Sequence, residues 1–193
     1  VKGKIITMPQ KQTIQDSRFS KLFLCFFQGI MCLVIPLFLI VHMRQGAPLN
    51  RFCERLGFDR YSRAKHKGDQ PTIWFHAASL GEVKQIKNLA QQLSQDNDYN
   101  ILVTTFTQAG AEWVCHNLPF ATHRFAPLDI HFILSRFIRN FTPQSLVIVE
   151  GDIWPTMLHV AQKHGVTTAL LNARSSRSRQ RFRWYHATAA AYF

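Results

Sequence analysis

From Pro71 onward the chain alternates short apolar runs with longer stretches in which apolar residues recur every three or four positions. Thr72-Ile73-Trp74-Phe75-His76 is apolar between its ends, the pattern of a strand buried on both faces. Ala77-Ala78-Ser79-Leu80-Gly81 follows as a turn of small residues. Val83, Ile86, Leu89, Ala90 and Leu93 then mark one face of a helix. Ile101-Leu102-Val103-Thr104-Thr105 predicts a second strand, and residues 108–117 a second helix. A short strand is expected at residues 123–125. Ile130, Ile133, Leu134, Phe137 and Ile138 form another helical stripe. Ser145-Leu146-Val147-Ile148-Val149-Glu150 is the clearest strand. A helix over residues 155–164, stopped by Gly165, leads into a last strand over residues 166–171.

Continuous apolar strands alternating with helices predict an α/β fold: a parallel, Rossmann-like sheet covered on both faces. Ligands of such sheets bind beyond the carboxyl ends of the strands. That rule selects three places: residues 77–82, 150–154 and 172–177.

Residues 22–43 differ from the rest. They form a 22-residue apolar run whose strongly polar members are Gln28 and His42. About 20 such residues span a hydrocarbon core, so a membrane-anchor helix over residues 21–44 is expected. The run ends in His42-Met43-Arg44-Gln45, which is no signal-cleavage site. Pro36 would kink a helix here, leaving interfacial insertion or a buried core helix as alternatives. Basic residues flank the run evenly, so charge does not set its orientation. Residues 1–20 read as a basic tail. Residues 45–70 carry Arg51, Arg55, Arg60, Arg63, Lys65 and Lys67, expected either against anionic headgroups or in a solvated linker. Residues 71–193 form the α/β domain.

The 193 residues are 47% hydrophobic, enough for one domain core and an anchor but not two full domains. The chain stops inside the apolar run Ala189-Ala190-Ala191-Tyr192-Phe193, so it is expected to be a piece of a longer protein. A net charge of +12 points to anionic partners: nucleic acid, anionic lipid or phosphorylated substrates. Cys25, Cys32, Cys53 and Cys115 form no CxxC pair, which suggests neither a disulfide framework nor a zinc site and fits a reducing compartment.

At the first strand end, Gly81 would let a ligand approach the backbone closely. Glu82 falls in the first turn of the next helix, where the dipole favours an ionised carboxylate suited to act as a base. The same dipole makes a Glu there common without any catalytic role. A dinucleotide site is a poor match, because GxGxxG is missing. At the second place, Glu150 and Asp152 need water, a cation or a ligand. Asp152 could instead cap the helix that Pro155 helps to start, and Glu150 is less suited to that. Trp154 reads as packing rather than a sugar platform. At the third place, Arg174 leads a basic run through Arg177, Arg179, Arg181 and Arg183, suited to phosphate or carboxylate oxygens or simply solvated. The histidines show no metal spacing.

Four motifs in order carry a family resemblance: His76-Ala77-Ala78-Ser79-Leu80-Gly81-Glu82, Thr104-Thr105-Phe106-Thr107-Gln108-Ala109-Gly110, Glu150-Gly151-Asp152-Ile153-Trp154-Pro155 and Asn172-Ala173-Arg174-Ser175. With the Arg-rich Ala47-Pro48…Arg51…Glu54-Arg55-Leu56-Gly57 stretch, residues 22–193 resemble the N-terminal domain of the 3-deoxy-D-manno-octulosonic acid (Kdo) transferases. The resemblance implies the N-terminal half of a glycosyltransferase B fold, with no catalytic metal and no cofactor. It implies inverting transfer of Kdo from CMP-Kdo, held mainly by a C-terminal domain, to a lipid A precursor. Glu82 matches the family's general base and Glu150 its transition-state support. Ser79, Gly81, Asp152 and Arg174 match substrate-binding positions. Asp152 stands where many members have Glu. The implied location is the cytoplasmic face of the bacterial inner membrane, with lipid rather than nucleic acid as partner. Because the nucleotide-binding domain and a downstream Lys are missing, residues 1–193 are expected not to transfer sugar by themselves. The competing reading is a non-enzymatic basic module that binds anionic lipid or nucleic acid.

Overall fold

The computed structural model describes residues 26, 29–30, 49–58, 70–95, 99–150 and 154–172. In chain order the elements are α1 (Leu49–Arg55), β1 (Thr72–His76), α2 (Leu80–Gln95), β2 (Asn100–Thr105), α3 (Gln108–Asn117), β3 (Thr122–Phe125), α4 (His131–Phe141), β4 (Pro143–Val149), α5 (Pro155–Lys163) and β5 (Thr167–Leu171). The strands form one parallel sheet in the order β3-β2-β1-β4-β5. The chain winds outward from β1 to β3, then returns to the other side of β1 for β4 and β5. The strand order therefore reverses between β1 and β4, which opens a crevice at their carboxyl ends.

Side-chain alternation along each strand divides the core into two layers. Trp74, Leu102, Leu146 and Ile148 point to one face and pack with Leu134, Phe137 and Phe141 of α4 and Met157 and Leu158 of α5. Ile73, Phe75, Ile101, Val103 and Val149 point to the other and meet Val83, Ile86 and Ala90 of α2 and Val114 of α3. Both layers are dry at their centres, with Trp74, Phe75, Leu102 and Leu146 fully buried. The outer strand β5 is only half-buried, because one of its edges has no partner strand among the described residues.

Several strand and helix ends differ from the sequence reading. β4 begins at Pro143, where an imide costs no ladder bond at a strand's first residue. It ends at Val149, because Glu150 turns into the left-handed region at φ +59°. Helix α4 ends on Thr142, also left-handed at φ 43°, whose N–H reaches Ile138 O at 2.7 Å.

The start of α5 corrects one expectation. Pro155 occupies the first turn as the sequence implied, but Trp154 at the N-cap position supplies no side-chain cap. The buried Asp129, from the β3–α4 connection, accepts from Thr156 N at 3.2 Å and Met157 N at 2.8 Å. The helix is capped from a distance, by Asp129. Asp152 itself lies outside the described residues, as do Arg174 and most of residues 21–44. Among the described residues no helix is long and apolar enough to cross a membrane.

Helix α1 corrects a second expectation. Its Phe52 and Arg55 are buried, with Arg55 5% exposed. The Arg55 guanidinium sits between the rings of Phe106 and Phe125, at 5.1 and 4.9 Å from their centroids, and donates to Phe106 O at 2.8 Å. Arg51 lies 5.6 Å from the Phe125 centroid. Arg55 therefore binds the domain rather than headgroups or solvent.

Burial pushes the Asp129 carboxyl up to about 6, against the pull of its hydrogen bonds to α5. The native state then holds a proton that the unfolded chain releases. The stabilisation is complete below about pH 4 and is lost as pH rises through about 6. The stability difference between the parent chain and Asp129→Asn is expected to shift against the parent by roughly 3 kcal/mol across that window. Urea unfolding at a series of pH values measures it.

Candidate active site

The turn after β1 is tied down before α2 begins. Ala77 N donates to Thr104 O at 3.0 Å, and Ala78 O accepts from Phe106 N at 3.0 Å and Thr107 N at 3.3 Å. Ala77 and Ala78 are buried, so small side chains are needed there. Ser79 and Glu82 then form a variant capping box. Glu82 N donates to Ser79 Oγ at 3.4 Å, and the Ser79 hydroxyl donates to Glu82 Oε1 at 2.7 Å. Ala78 N donates to Glu82 Oε2 at 2.8 Å. The half-buried Glu82 carboxylate is therefore fixed at the mouth of the crevice. Each of its oxygens accepts one of these bonds.

Gly81 is exposed, with no strained dihedral. A Cβ there would meet Ser79 Oγ at 3.9 Å, an ordinary contact. Gly110 contrasts with it: a Cβ would lie 3.0 Å from Thr107 Oγ1 and 3.4 Å from Thr105. Thr107 caps α3 by accepting from Gly110 N at 3.2 Å. The Thr104–Gly110 motif thus builds the β2–α3 corner, while Gly81 has no such role among the described residues.

Across the crevice, Glu150 and Asn172 end the adjacent strands β4 and β5. Both are left-handed, at φ +59° and +54°, and Glu150 N still continues the ladder to Leu171 O at 2.9 Å. Gln85 joins them: its amide nitrogen donates to Glu150 Oε1, and its amide oxygen accepts from Asn172 Nδ2 at 2.5 Å. Gln85 lies three residues after Glu82, on the same side of α2. One helix therefore holds Glu82 and, through Gln85, reaches the ends of β4 and β5. The sequence reading missed Gln85. The signal available was its i+3 spacing from Glu82; its partners lie 65 and 87 residues away.

Trp154 packs as the sequence suggested, stacking on Phe106 with centroids 5.4 Å apart and 20° between planes. His76, fully buried at the end of β1, meets Phe106 edge-on at 6.2 Å. Burial pushes its pKa down to about 4. His123 is likewise pushed down to about 4, by burial first and then by Arg124 and Arg55. It shares a 2.9 Å hydrogen bond with Thr105 Oγ1. Ser79, Gly81, Glu82 and Glu150 thus all stand at the ends of β1 and β4.

A family model described as 3-deoxy-D-manno-octulosonic-acid transferase matches residues 50–193. The 3-deoxy-D-manno-octulosonic acid transferase of Haemophilus influenzae is 32% identical over 164 residues, 81% of this chain and 38% of that protein. That of Chlamydia muridarum is 29% identical over 179 residues, covering 90% of this chain and 41% of its own length. A probable mitochondrial 3-deoxy-D-manno-octulosonic acid transferase of Arabidopsis thaliana is 32% identical over 130 residues, 62% of this chain and 29% of that protein. The chain thus spans well under half the length of these relatives.

Two outcomes follow from the geometry. Gly81→Ala is expected to leave the fold intact and to stabilise α2 by up to about 1 kcal/mol, read by urea unfolding. A loss of stability would show that the chain itself needs glycine there. Gln85→Glu places a second carboxylate against Glu150, so the variant is expected to lose roughly 1 kcal/mol against the parent as pH rises from 4 to 7. Thermal melts across that range check the sign.

Proposed function

Because the chain belongs to the Kdo transferase family, we propose that it forms the acceptor side of an inverting glycosyltransferase. In this reading the whole enzyme moves Kdo from CMP-Kdo to a lipid A precursor. It works at the cytoplasmic face of the bacterial inner membrane, where that lipid lies. The donor nucleotide is held mainly by a second domain, and the reaction uses no metal and no cofactor.

The observation that carries this reading is the Glu82 carboxylate, held by two hydrogen bonds at the reversal of strand order. A base must be ionised and must reach the hydroxyl whose proton it takes. The N-terminus of α2, the Ala78 N–H and the Ser79 hydroxyl all stabilise the anion. They also fix its orientation, so little is lost in ordering it when the acceptor arrives. Glu82 then accepts the proton of a glucosamine hydroxyl as that oxygen attacks the anomeric carbon, and the bond from that carbon to the CMP phosphate oxygen breaks. Glu150, on the opposite side of the crevice, supports the positive character that develops on the sugar. Ser79 acts through Glu82. Asp152 and Arg174, carried over from the family motifs, would contact substrate from the following loops.

The test is Glu82→Gln in a complete transferase that carries this chain as its N-terminal part. Gln keeps an oxygen for the Ala78 N–H but cannot take a proton. The expected result is a fall in kcat of about 100- to 10,000-fold, with KM for CMP-Kdo changed less than about threefold. Near-normal turnover would exclude Glu82 as the base.

A further inference from the structure

Three aromatic side chains meet where β1, β2 and β4 end. His76 closes β1, Phe106 follows β2, and Trp154 precedes α5. Phe106 touches both of the others, edge-on to His76 and stacked on Trp154. His76 Nε2 and Trp154 Nε1 are buried and have no hydrogen-bond partner among the described residues. Buried polar atoms are nearly always paired, and an orphan is costly.

Hydrogen-bond accounting identifies what His76 Nε2 offers. Trp74 Nε1 can only donate, so Thr104 Oγ1 accepts from it, at 2.8 Å. The Thr104 hydroxyl retains one hydrogen of its own. Its other side-chain contact among the described residues is His76 Nδ1, at 2.9 Å. The buried ring is neutral at pH 7, since its pKa is pushed down to about 4, and so carries one N–H. With that hydrogen on Nδ1, the Thr104 hydroxyl and the Nε2 lone pair would both be orphaned. With it on Nε2, Thr104 donates to Nδ1 and one orphan remains. The relay Trp74–Thr104–His76 therefore ends in an Nε2–H donor. Trp154 adds a second donor beside the same Phe106 ring, since an indole nitrogen never accepts.

We propose that His76 Nε2–H and Trp154 Nε1–H form a neutral, two-donor subsite for a sugar oxygen of one substrate, at the carboxyl ends of β1 and β4. Neither donor carries charge. They suit a hydroxyl, ring or carboxylate oxygen of a sugar, whereas a phosphate is better served by Arg and Lys. The subsite rests on the transferase reading above.

Two measurements test it. In a complete transferase that carries this chain, 15N NMR of the imidazole is expected to show Nε2 protonated and Nδ1 bare at pH 7. Titration with CMP-Kdo, or with a lipid A precursor in detergent, is expected to move the Nε2 resonance. The reverse tautomer, or no movement with either probe, overturns the proposal. In the complete transferase, His76→Phe and Trp154→Phe each remove one donor and keep an aromatic ring. Each is expected to raise KM for the same substrate roughly 3- to 10-fold, the worth of one neutral hydrogen bond. His76→Gln restores an N–H at similar reach and is expected to recover most of that loss. A raised KM for CMP-Kdo assigns the oxygen to the transferred sugar; a raised KM for the lipid assigns it to the acceptor. Unchanged KM for both, as when the donors meet only internal water, overturns the proposal. A parent enzyme without transfer activity counts against the transferase reading instead, and the NMR titration then decides the subsite.

Discussion

Strand β1 is hemmed in on every side. It pairs with β2 along one edge and β4 along the other, and helices cover both of its faces. Trp74, Phe75 and His76 are all fully buried as a result. A strand placed this way can present polar chemistry only at its carboxyl end. There the sheet also reverses its order, so the chain leaves β1 and β4 in diverging directions and a crevice opens between them. Glu82 stands on one side of that opening and Glu150 on the other.

The apolar frame also dictates how its few polar groups are handled. Asp129 is buried because α5 begins inside the core, where water cannot reach its first N–H groups. Arg55 is buried between two rings and donates to a backbone carbonyl. Trp74, Thr104 and His76 hold one another in a line. Each group takes partners from another element, so each also fixes the relative position of two elements.

At the crevice the logic changes. Glu82 and Glu150 are only half-buried, and neutral donors are among the groups that hold them: Ala78 N–H, Ser79 and Gln85. Neutral donors orient a carboxylate and leave its charge in place. In the proposed transfer, a base and a support for developing positive charge both need that charge. Gln85 has a further part, because one amide can both donate to Glu150 and accept from Asn172. It ties the helix that carries Glu82 to the ends of β4 and β5.

The sequence by itself determined the strands, the helices and the ends at which chemistry gathers. Apolar periodicity is a local property, and Thr72–His76 or Gln108–Asn117 reads the same in isolation as in the fold. Motif spacing placed Ser79, Gly81, Glu82 and Glu150 at strand ends for the same reason. Only the tertiary structure decided which distant residues serve them. Arg55 reads as one of a run of exposed cations until β2 and β3 bring Phe106 and Phe125 to it. Asp129 reads as a loop residue until α5 is laid over it, 27 positions on. Glu82 is unchanged as a first-turn carboxylate, but its link through Gln85 to Glu150 depends on β4 returning to the side of β1. Local sequence specifies what a segment wants to be; contacts across 50 to 90 residues depend on how the sheet is ordered, and no local pattern carries that information.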